Sequence, residues 1–256
     1  MTTTEKKKYL FAKLPPILQD FGFFLFKGKL WCYRPEQQMV YCIDCTFTQW
    51  GTLNEIDIGF GSFCAPIKKG GSKQELYLGD MIDLCRYIRI KQGVSVYAMY
   101  GDSADGIFVE QVNALLPYLN AELERIFALP YQTDILGQIR MLLDMKAETQ
   151  EIIPLDLFFY QHRLGNTEAA KELLKRRIAS CEQIIQTIRS EKDELAQDHF
   201  EELMESYSRM IAEANEYSKR MDSNDPLLSK MIDERIKESA ALCEEFFRHG
   251  RKKATP

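Results

Sequence analysis

The chain has 256 residues, of which 45% are hydrophobic and 28% charged, and its formal net charge is −5. This length is enough to bury a sizeable core in one large or two small domains. The acidic balance excludes the basic footprint that binding to nucleic acid or to an anionic membrane requires. No apolar run reaches the roughly 20 residues of a transmembrane helix, and no signal-peptide core follows the basic N-terminal stretch. We therefore expect a cytoplasmic protein, monomeric or weakly dimeric, that contacts neither nucleic acid nor membrane.

Seven cysteines occur at irregular spacing, which is typical of free thiols in a reducing compartment. Cys42 and Cys45 have the spacing of a zinc or redox pair, but such pairs usually lie on a turn where both sulfurs converge. Here the alternation from Met39 to Thr48 predicts a strand, which would direct the two thiols to opposite faces. We interpret them as packing residues and predict neither a metal nor a cofactor.

The first half of the chain, 1–146, is predicted to be an α+β domain in which helices flank a small antiparallel meander sheet. The predicted strands are 23–26, 30–34, 39–48, 53–63, 82–90 and 94–100, and the predicted helices are 4–20, 104–128 and 133–145. Pro15 and Pro16 must kink or divide the first helix. The weak alternation of 82–90 favours a strand, with a helix as the alternative.

The two longest predicted strands each have an apolar and a polar face. The face expected to be buried against helices carries Met39, Tyr41, Ile43, Cys45, Phe47, Ile56, Ile58 and Phe60. The opposite face carries Cys42, Asp44, Thr46, Glu55, Asp57, Gly59 and Gly61. The ordinary interpretation is a solvated sheet face. The alternative is a shallow site where Asp44, Glu55 and Asp57 bind a cation or a basic partner; no base neighbours a nucleophile, so no catalytic residue is predicted.

Several aromatic and glycine motifs occur together in this half. They are Phe21-Gly-Phe23, Leu30-Trp-Cys-Tyr-Arg34, Phe47-Thr-Gln49, Ile56-Asp-Ile-Gly59, Tyr87-Ile-Arg-Ile90 and Leu116-Pro117. Over about residues 5–128 the chain resembles an uncharacterised bacterial family, the domain of unknown function 4304. The resemblance implies a curved sheet flanked by helices. It implies no activity and no catalytic residue, and it leaves the chain beyond about residue 130 unassigned.

The second half, 150–250, is predicted to be an all-α antiparallel helical bundle, because its apolar residues recur with a period near 3.6. The predicted helices are 154–164, 167–190, 193–221 and 226–248. Lys171–Arg189 is basic and Glu191–Asp222 is acidic. Neighbouring helices of opposite sign would be complementary in charge, which favours antiparallel packing.

The third of these helices carries a heptad seam. The seam consists of Phe200, Leu203, Tyr207, Met210, Ala214, Tyr217 and Met221. In one interpretation it is core, covered completely by the last helix, Leu227–Phe247. In the other it is an adaptable partner surface, because Tyr207, Met210 and Tyr217 are large and Met210 is soft. The acidic block Asp198–Glu205 would then steer a basic partner at low salt.

The sequence is compatible with two functional hypotheses. We favour a non-enzymatic bacterial cytoplasmic protein that binds another protein through its helical half, in a regulatory or immunity-type role. The alternative is a hydrolase or transferase with a site on the acidic sheet face around Asp44, Glu55 and Asp57. We predict no metal-binding or catalytic site at a histidine. His162 is expected to be an ordinary half-buried side chain, and no histidine has the sequence spacing from a cysteine that is typical of metal ligands.

Overall fold

The computed structural model describes residues 1–49, 51–64, 67–70, 75–78, 80–93, 104–128, 134–148, 152–153, 155–190 and 196–248. Within them the fold is α+β, as predicted. A five-stranded antiparallel sheet occupies the N-terminal half, and mostly helices follow. The strand predicted at 94–100 lies outside the described residues.

The main sheet has the strand order β1-β2-β3-β4-β7, and all its neighbouring strands are antiparallel. The strands are β1 (Phe24–Phe26), β2 (Lys29–Arg34), β3 (Met39–Phe47), β4 (Leu53–Ser62), β5 (Lys68–Gly70), β6 (Glu75–Tyr77) and β7 (Asp80–Asp83). β5 and β6 form a separate two-stranded sheet. Lys27 and Gly28 connect β1 to β2 with φ values of 49° and 76°, which suits a tight hairpin turn. The predicted meander is therefore confirmed for β1 to β4.

The helices pack on this sheet and on one another. They are α1 (Thr3–Phe11), α2 (Ile17–Phe21), α3 (Leu84–Gln92), α4 (Ala104–Phe127), α5 (Ile135–Glu148), α6 (Leu155–Arg163), α7 (Thr167–Ser190), α8 (Gln197–Asp222) and α9 (Pro226–Phe247). Pro15 and Pro16 divide the first predicted helix into two. The Lys171 ammonium lies 2.7 Å from Asp222, so the start of α7 is beside the end of α8 and the two helices are antiparallel. Among the described helices, none has the length and apolar content needed to cross a membrane.

The strand predicted at 82–90 is wrong beyond Asp83, where β7 ends and α3 begins. The Asp83 carboxylate accepts a hydrogen bond of 2.9 Å from the Arg86 backbone N–H, which is an N-cap contact. Leu84, Tyr87 and Ile88 are buried at helical spacing. The alternation was misleading because the end of a short strand and the first turns of a helix fall within the same nine residues.

The apolar face of β3 and β4 is buried as predicted. Its fully buried members are Met39, Tyr41, Ile43, Cys45, Ile56, Ile58 and Phe60, and Phe47 is half-buried. Phe21 and Phe127 meet above Tyr41, with 4.7 Å between the two phenylalanine ring centroids. The Tyr41 hydroxyl donates to the side-chain oxygen of Gln138, which fixes α5 over the same face.

The opposite face of the sheet is covered at one end, so the interpretation of a wholly solvated face is wrong. Trp31 and Cys42 are buried there at 1% and 2% exposure. The cover is the end of α9: the Trp31 ring centroid lies 5.3 Å from that of Phe246, and the Tyr33 centroid lies 5.3 Å from that of Phe247. The alternation within a strand could not reveal this cover, because the end of α9 is more than 200 residues away in sequence.

Among the described residues, three hydrophobic clusters form the core, and each contains residues from both halves of the chain. Ile153 and Leu157 join the cluster on the inner sheet face. Cys64 joins the cluster among α6, α7, α8 and α9. The third cluster combines the outer sheet face with the end of α9. The predicted division between 1–146 and 150–250 thus separates two segments whose side chains share their cores.

Candidate functional site

Four charged side chains form a row across the main sheet, one each from β2, β3, β4 and β7. Asp44 pairs with Asp57 in the strand register, and Asp57 pairs with Asp83. Lys29 continues the row on β2, with its Nζ 3.0 Å from Asp44 Oδ2. Directly opposed residues of neighbouring antiparallel strands point to the same side, so these four side chains share one face of the sheet.

The Asp44 carboxylate forms ion pairs and a hydrogen bond within the fold. Lys7 reaches from α1 and places its Nζ 2.6 Å from Asp44 Oδ1, while Lys29 binds the other oxygen. The Cys45 backbone N–H also donates to Oδ1 at 2.8 Å. Only 14% of the Asp44 side chain is exposed. Two ammonium groups and one backbone donor therefore neutralise and orient this carboxylate of the predicted acidic site.

The other predicted carboxylates do not converge with Asp44 on one point. Glu55 accepts a hydrogen bond of 3.3 Å from the Thr46 hydroxyl, further along the sheet. Asp57 lies between Asp44 and Asp83, and Asp83 caps α3. The described residues contain no group of three or more His, Cys, Asp or Glu side chains that could hold a metal ion. Within the row, the Lys7 contact joins α1 to the sheet, and Asp83 caps the helix that follows β7.

The two thiols beside this row lie on opposite sides of the sheet, as predicted. Cys42 belongs to the cluster under α9 and Cys45 to the inner core. Burial raises the pKa of the Cys42 thiol far above its usual value, and it raises the pKa of Cys45 to about 12. Because the thiolate is the nucleophilic and metal-binding form, both thiols are suited to packing.

The helical half contains a different kind of feature, a two-helix arm. We define the arm as residues 179–190 of α7 together with 197–213 of α8. Cys181, Ile185 and Ile188 are buried in it, yet no described residue of the arm belongs to any of the three core clusters. At about 1.5 Å per residue, its α8 part extends roughly 24 Å. The arm is therefore held together by α7 and α8 packing on each other.

One side of α8 carries a stripe of large apolar residues at heptad spacing, Leu203, Met210 and Tyr217. At the base of the arm, Tyr217 is enclosed: its ring centroid lies 5.1 Å from that of Phe159 on α6. The Arg235 guanidinium of α9 donates to the Tyr217 hydroxyl at 3.1 Å. Burial raises the pKa of Tyr217. Further out along the stripe, Met210 and Leu203 are only half-buried.

α9 does not cover the whole seam, contrary to the interpretation in which the last helix covers it completely. It contacts α8 near Arg235 and Tyr217 and then runs to the outer face of the sheet, where Phe246 and Phe247 lie on Trp31. The predicted binding residues are therefore divided. Tyr217 is core, whereas Tyr207 and Met210 are half-buried on the arm.

The acidic block is fully on the surface of the arm. Asp198, Glu201, Glu202 and Glu205 are all exposed. Glu205 pairs with Arg209 of the same helix at 2.7 Å, and Glu201 accepts a hydrogen bond from Gln197. Such same-helix contacts at exposed positions contribute little stability. The end of the arm thus presents a negative surface on the same segment of α8 as Leu203.

Sequence reasoning missed a pocket in the first 30 residues. It lies between α1, α2 and the end strand β1, has a volume of about 350 Å³, and is lined mostly by apolar side chains. Leu14 and Leu30 each follow a lysine and Leu25 lies between two phenylalanines, so no local pattern marks these three pocket residues.

No protein-family model matches the chain, and neither a curated protein nor a solved structure does. The resemblance to the domain of unknown function 4304 therefore stays a prediction from the motifs of the first half.

Proposed function

We propose that this chain binds another protein and that the arm is the binding element. The observation that carries the proposal is that the stripe on α8 is covered by other helices at one end and only partly covered further along. Tyr217 is closed off by α6 and α9, whereas Met210, two helical turns further out on the same side, is half-buried. Leu203, two more turns out, is half-buried as well. A partner helix laid against Leu203 and Met210 would continue the packing that α6 and α9 provide at Tyr217.

The charge of the arm indicates the chemistry of that partner helix. Four exposed carboxylates lie within Asp198–Glu205, the same segment of α8 that contains Leu203, and this segment carries no Lys or Arg. An amphipathic helix with a basic side therefore fits this surface best. Rim charges of this kind mainly accelerate encounter and select partners, while the apolar stripe supplies affinity.

The rest of the structure supports a binding role in which the body of the protein is the scaffold. The shared core clusters hold the bases of α7 and α8, so the arm projects from a packed support. Occupying the surface of another bacterial protein through such an arm is the regulatory or immunity-type function that we favour.

Site-specific photo-crosslinking in the native cells tests this proposal. A benzophenone amino acid is placed at Leu203 or Met210, and at exposed Lys230 on α9 as the matched control. We expect one protein to be crosslinked from both arm positions and not from position 230. Its crosslinked peptide should carry Lys or Arg at helical spacing. Equal crosslinking from all three positions, or crosslinking from none, would contradict the proposal.

Charge reversal tests the electrostatic part separately. The triple variant Glu201→Lys, Glu202→Lys and Glu205→Lys should weaken capture of the crosslinked partner about tenfold at low salt, and much less at high salt. The matched control reverses Glu234, Glu238 and Glu244, which are exposed on α9. Capture that is equally sensitive to both triple variants would show that only net charge matters.

A further inference from the structure

The pocket beside β1 has the composition of a small-molecule site and lies apart from the arm. Phe11 at the end of α1, Leu14 in the segment after it, Leu18 from α2 and Leu25 from β1 form its apolar wall. Leu25 is 49% exposed, which is unusual for a leucine in a strand of this sheet. A volume of about 350 Å³ is at the lower end of the roughly 300–1,000 Å³ typical of ligand sites. The space suits one flexible chain rather than a large cofactor.

Two polar side chains also line this pocket, Lys8 and Gln19. Both are exposed, and neither forms a side-chain hydrogen bond or ion pair with a described residue. The preceding lysines of α1 differ in this respect: Lys6 pairs with Asp105 at 3.1 Å and Lys7 with Asp44 at 2.6 Å. The pocket therefore offers one uncompensated ammonium and one carboxamide N–H₂ group, both of which donate hydrogen bonds.

We infer that this pocket binds a medium-chain carboxylate, with the hydrocarbon chain between α1, α2 and β1 and the carboxylate at Lys8 and Gln19. An apolar wall removes the chain from water, and a charged donor favours an anionic headgroup over a neutral one. The edge strand β1 has three residues, so it offers an added peptide strand only a short ladder of hydrogen bonds. The pocket rather than the strand edge provides the binding energy.

Isothermal titration calorimetry of the full chain with hexanoate, octanoate and decanoate tests the inference, all below micelle-forming concentrations. For ligands of this size we expect a Kd for octanoate on the order of 0.1–1 mM. Each added methylene that is buried should tighten binding about three- to fourfold. 1-Octanol, which has the same chain without the charge, should bind several-fold more weakly than octanoate.

Two pairs of variants locate the site. Lys8→Met should weaken octanoate binding about three- to fivefold and leave octanol binding unchanged. Lys13→Met, which removes the same charge from a residue just beyond α1 outside the pocket, should change neither. Leu25→Asp should weaken octanoate binding at least tenfold, since it removes an apolar contact and adds a like charge. Leu227→Asp, at another exposed leucine, is its control and should have no effect.

The inference is overturned by any of three results. The first is affinity that does not increase with chain length. The second is an equal effect of Lys8→Met and Lys13→Met, which would mean nonspecific charge attraction. The third is octanoate binding that survives Leu25→Asp in protein whose circular dichroism and melting temperature match the wild type.

Discussion

The ammonium of Lys7 on α1 lies 2.6 Å from the carboxylate of Asp44 on β3. This contact joins the first helix of the chain to the third strand, and Lys29 shares the same carboxylate from β2. The side chains of Lys7 and Asp44 are 19% and 14% exposed, so solvent screens the pair only partly. An acidic residue that the sequence marks as a candidate binding group thus has a structural role.

A double-mutant cycle measures that role. Asp44→Asn should destabilise the fold by about 1–2 kcal/mol in urea unfolding, because two ammonium groups then lose their partner. Lys7→Met should cost less, since Lys29 still pairs with Asp44. We expect a coupling of about 0.5–1 kcal/mol between positions 7 and 44. A stabilising Asp44→Asn would contradict the structural role and favour a functional carboxylate at this position.

The end of α9 should be a main support of the sheet. Phe247 is 1% exposed and its ring lies against Trp31 and Tyr33. Phe247→Ala should reduce the free energy of unfolding by about 3–4 kcal/mol, because it leaves a cavity between α9 and the outer sheet face. Phe200→Ala on the arm, where the ring is only half-buried, should cost about 1 kcal/mol. Equal costs would mean that α9 does not pack on the sheet in solution.

His162 should make the fold sensitive to mild acid. Burial lowers the pKa of His162 below its ordinary 6.5, so the unfolded chain takes up this proton more readily than the folded chain. Its contribution to stability is therefore present above about pH 6.5 and is lost as the pH falls below that value. Thermal melts across this range should show a smaller loss of stability for His162→Phe than for wild type. His199→Phe, at an exposed position of α8, should follow the wild-type profile.

The arm should be removable without unfolding the body. Because α7 and α8 are antiparallel and Lys171 pairs with Asp222, we expect Ser180 to lie at about the level of Glu213. Replacing residues 181–212 with a four-residue Gly-rich turn spans the gap between the two helices, since each extended residue covers about 3.5 Å. None of the three core clusters loses a member. The shortened chain should melt cooperatively and fail to capture the partner; capture that persists would place the binding surface elsewhere.

The sequence predicts those features that depend on neighbouring residues. Alternation along Met39–Phe47 and Leu53–Ser62 correctly gave the buried face, because side chains in a strand point to opposite sides in turn. The Cys42 and Cys45 thiols were separated by the same rule. The rule weakened at 82–90, where the Asp83 cap begins a helix directly after a short strand. The period of apolar residues predicts secondary structure reliably only within a single helix or strand.

The candidate sites depended on contacts that no local pattern contains. Sequence grouped Asp44 with Glu55 and Asp57, but Lys7 and Lys29 bind Asp44 from two other elements. The heptad pattern also predicted one role, partner binding, for Tyr207, Met210 and Tyr217. In the structure, Phe159 and Arg235 enclose Tyr217. The sequence identifies each charged and aromatic residue, but it does not show which residues contact it in the folded protein.

Composition and periodicity were sufficient to predict the fold class, the helix-rich second half and the inner face of the sheet, because they specify how each segment buries its apolar side. Which surfaces remain exposed depends instead on how distant elements pack on one another. α9 leaves α8 near Arg235 and ends on Trp31, so it covers the outer sheet face and leaves the stripe at Met210 half-exposed. Both the outer sheet face and the stripe on α8 are apolar surfaces on which α9 could pack. Which of them α9 covers depends on distances in the folded chain rather than on spacing along the sequence.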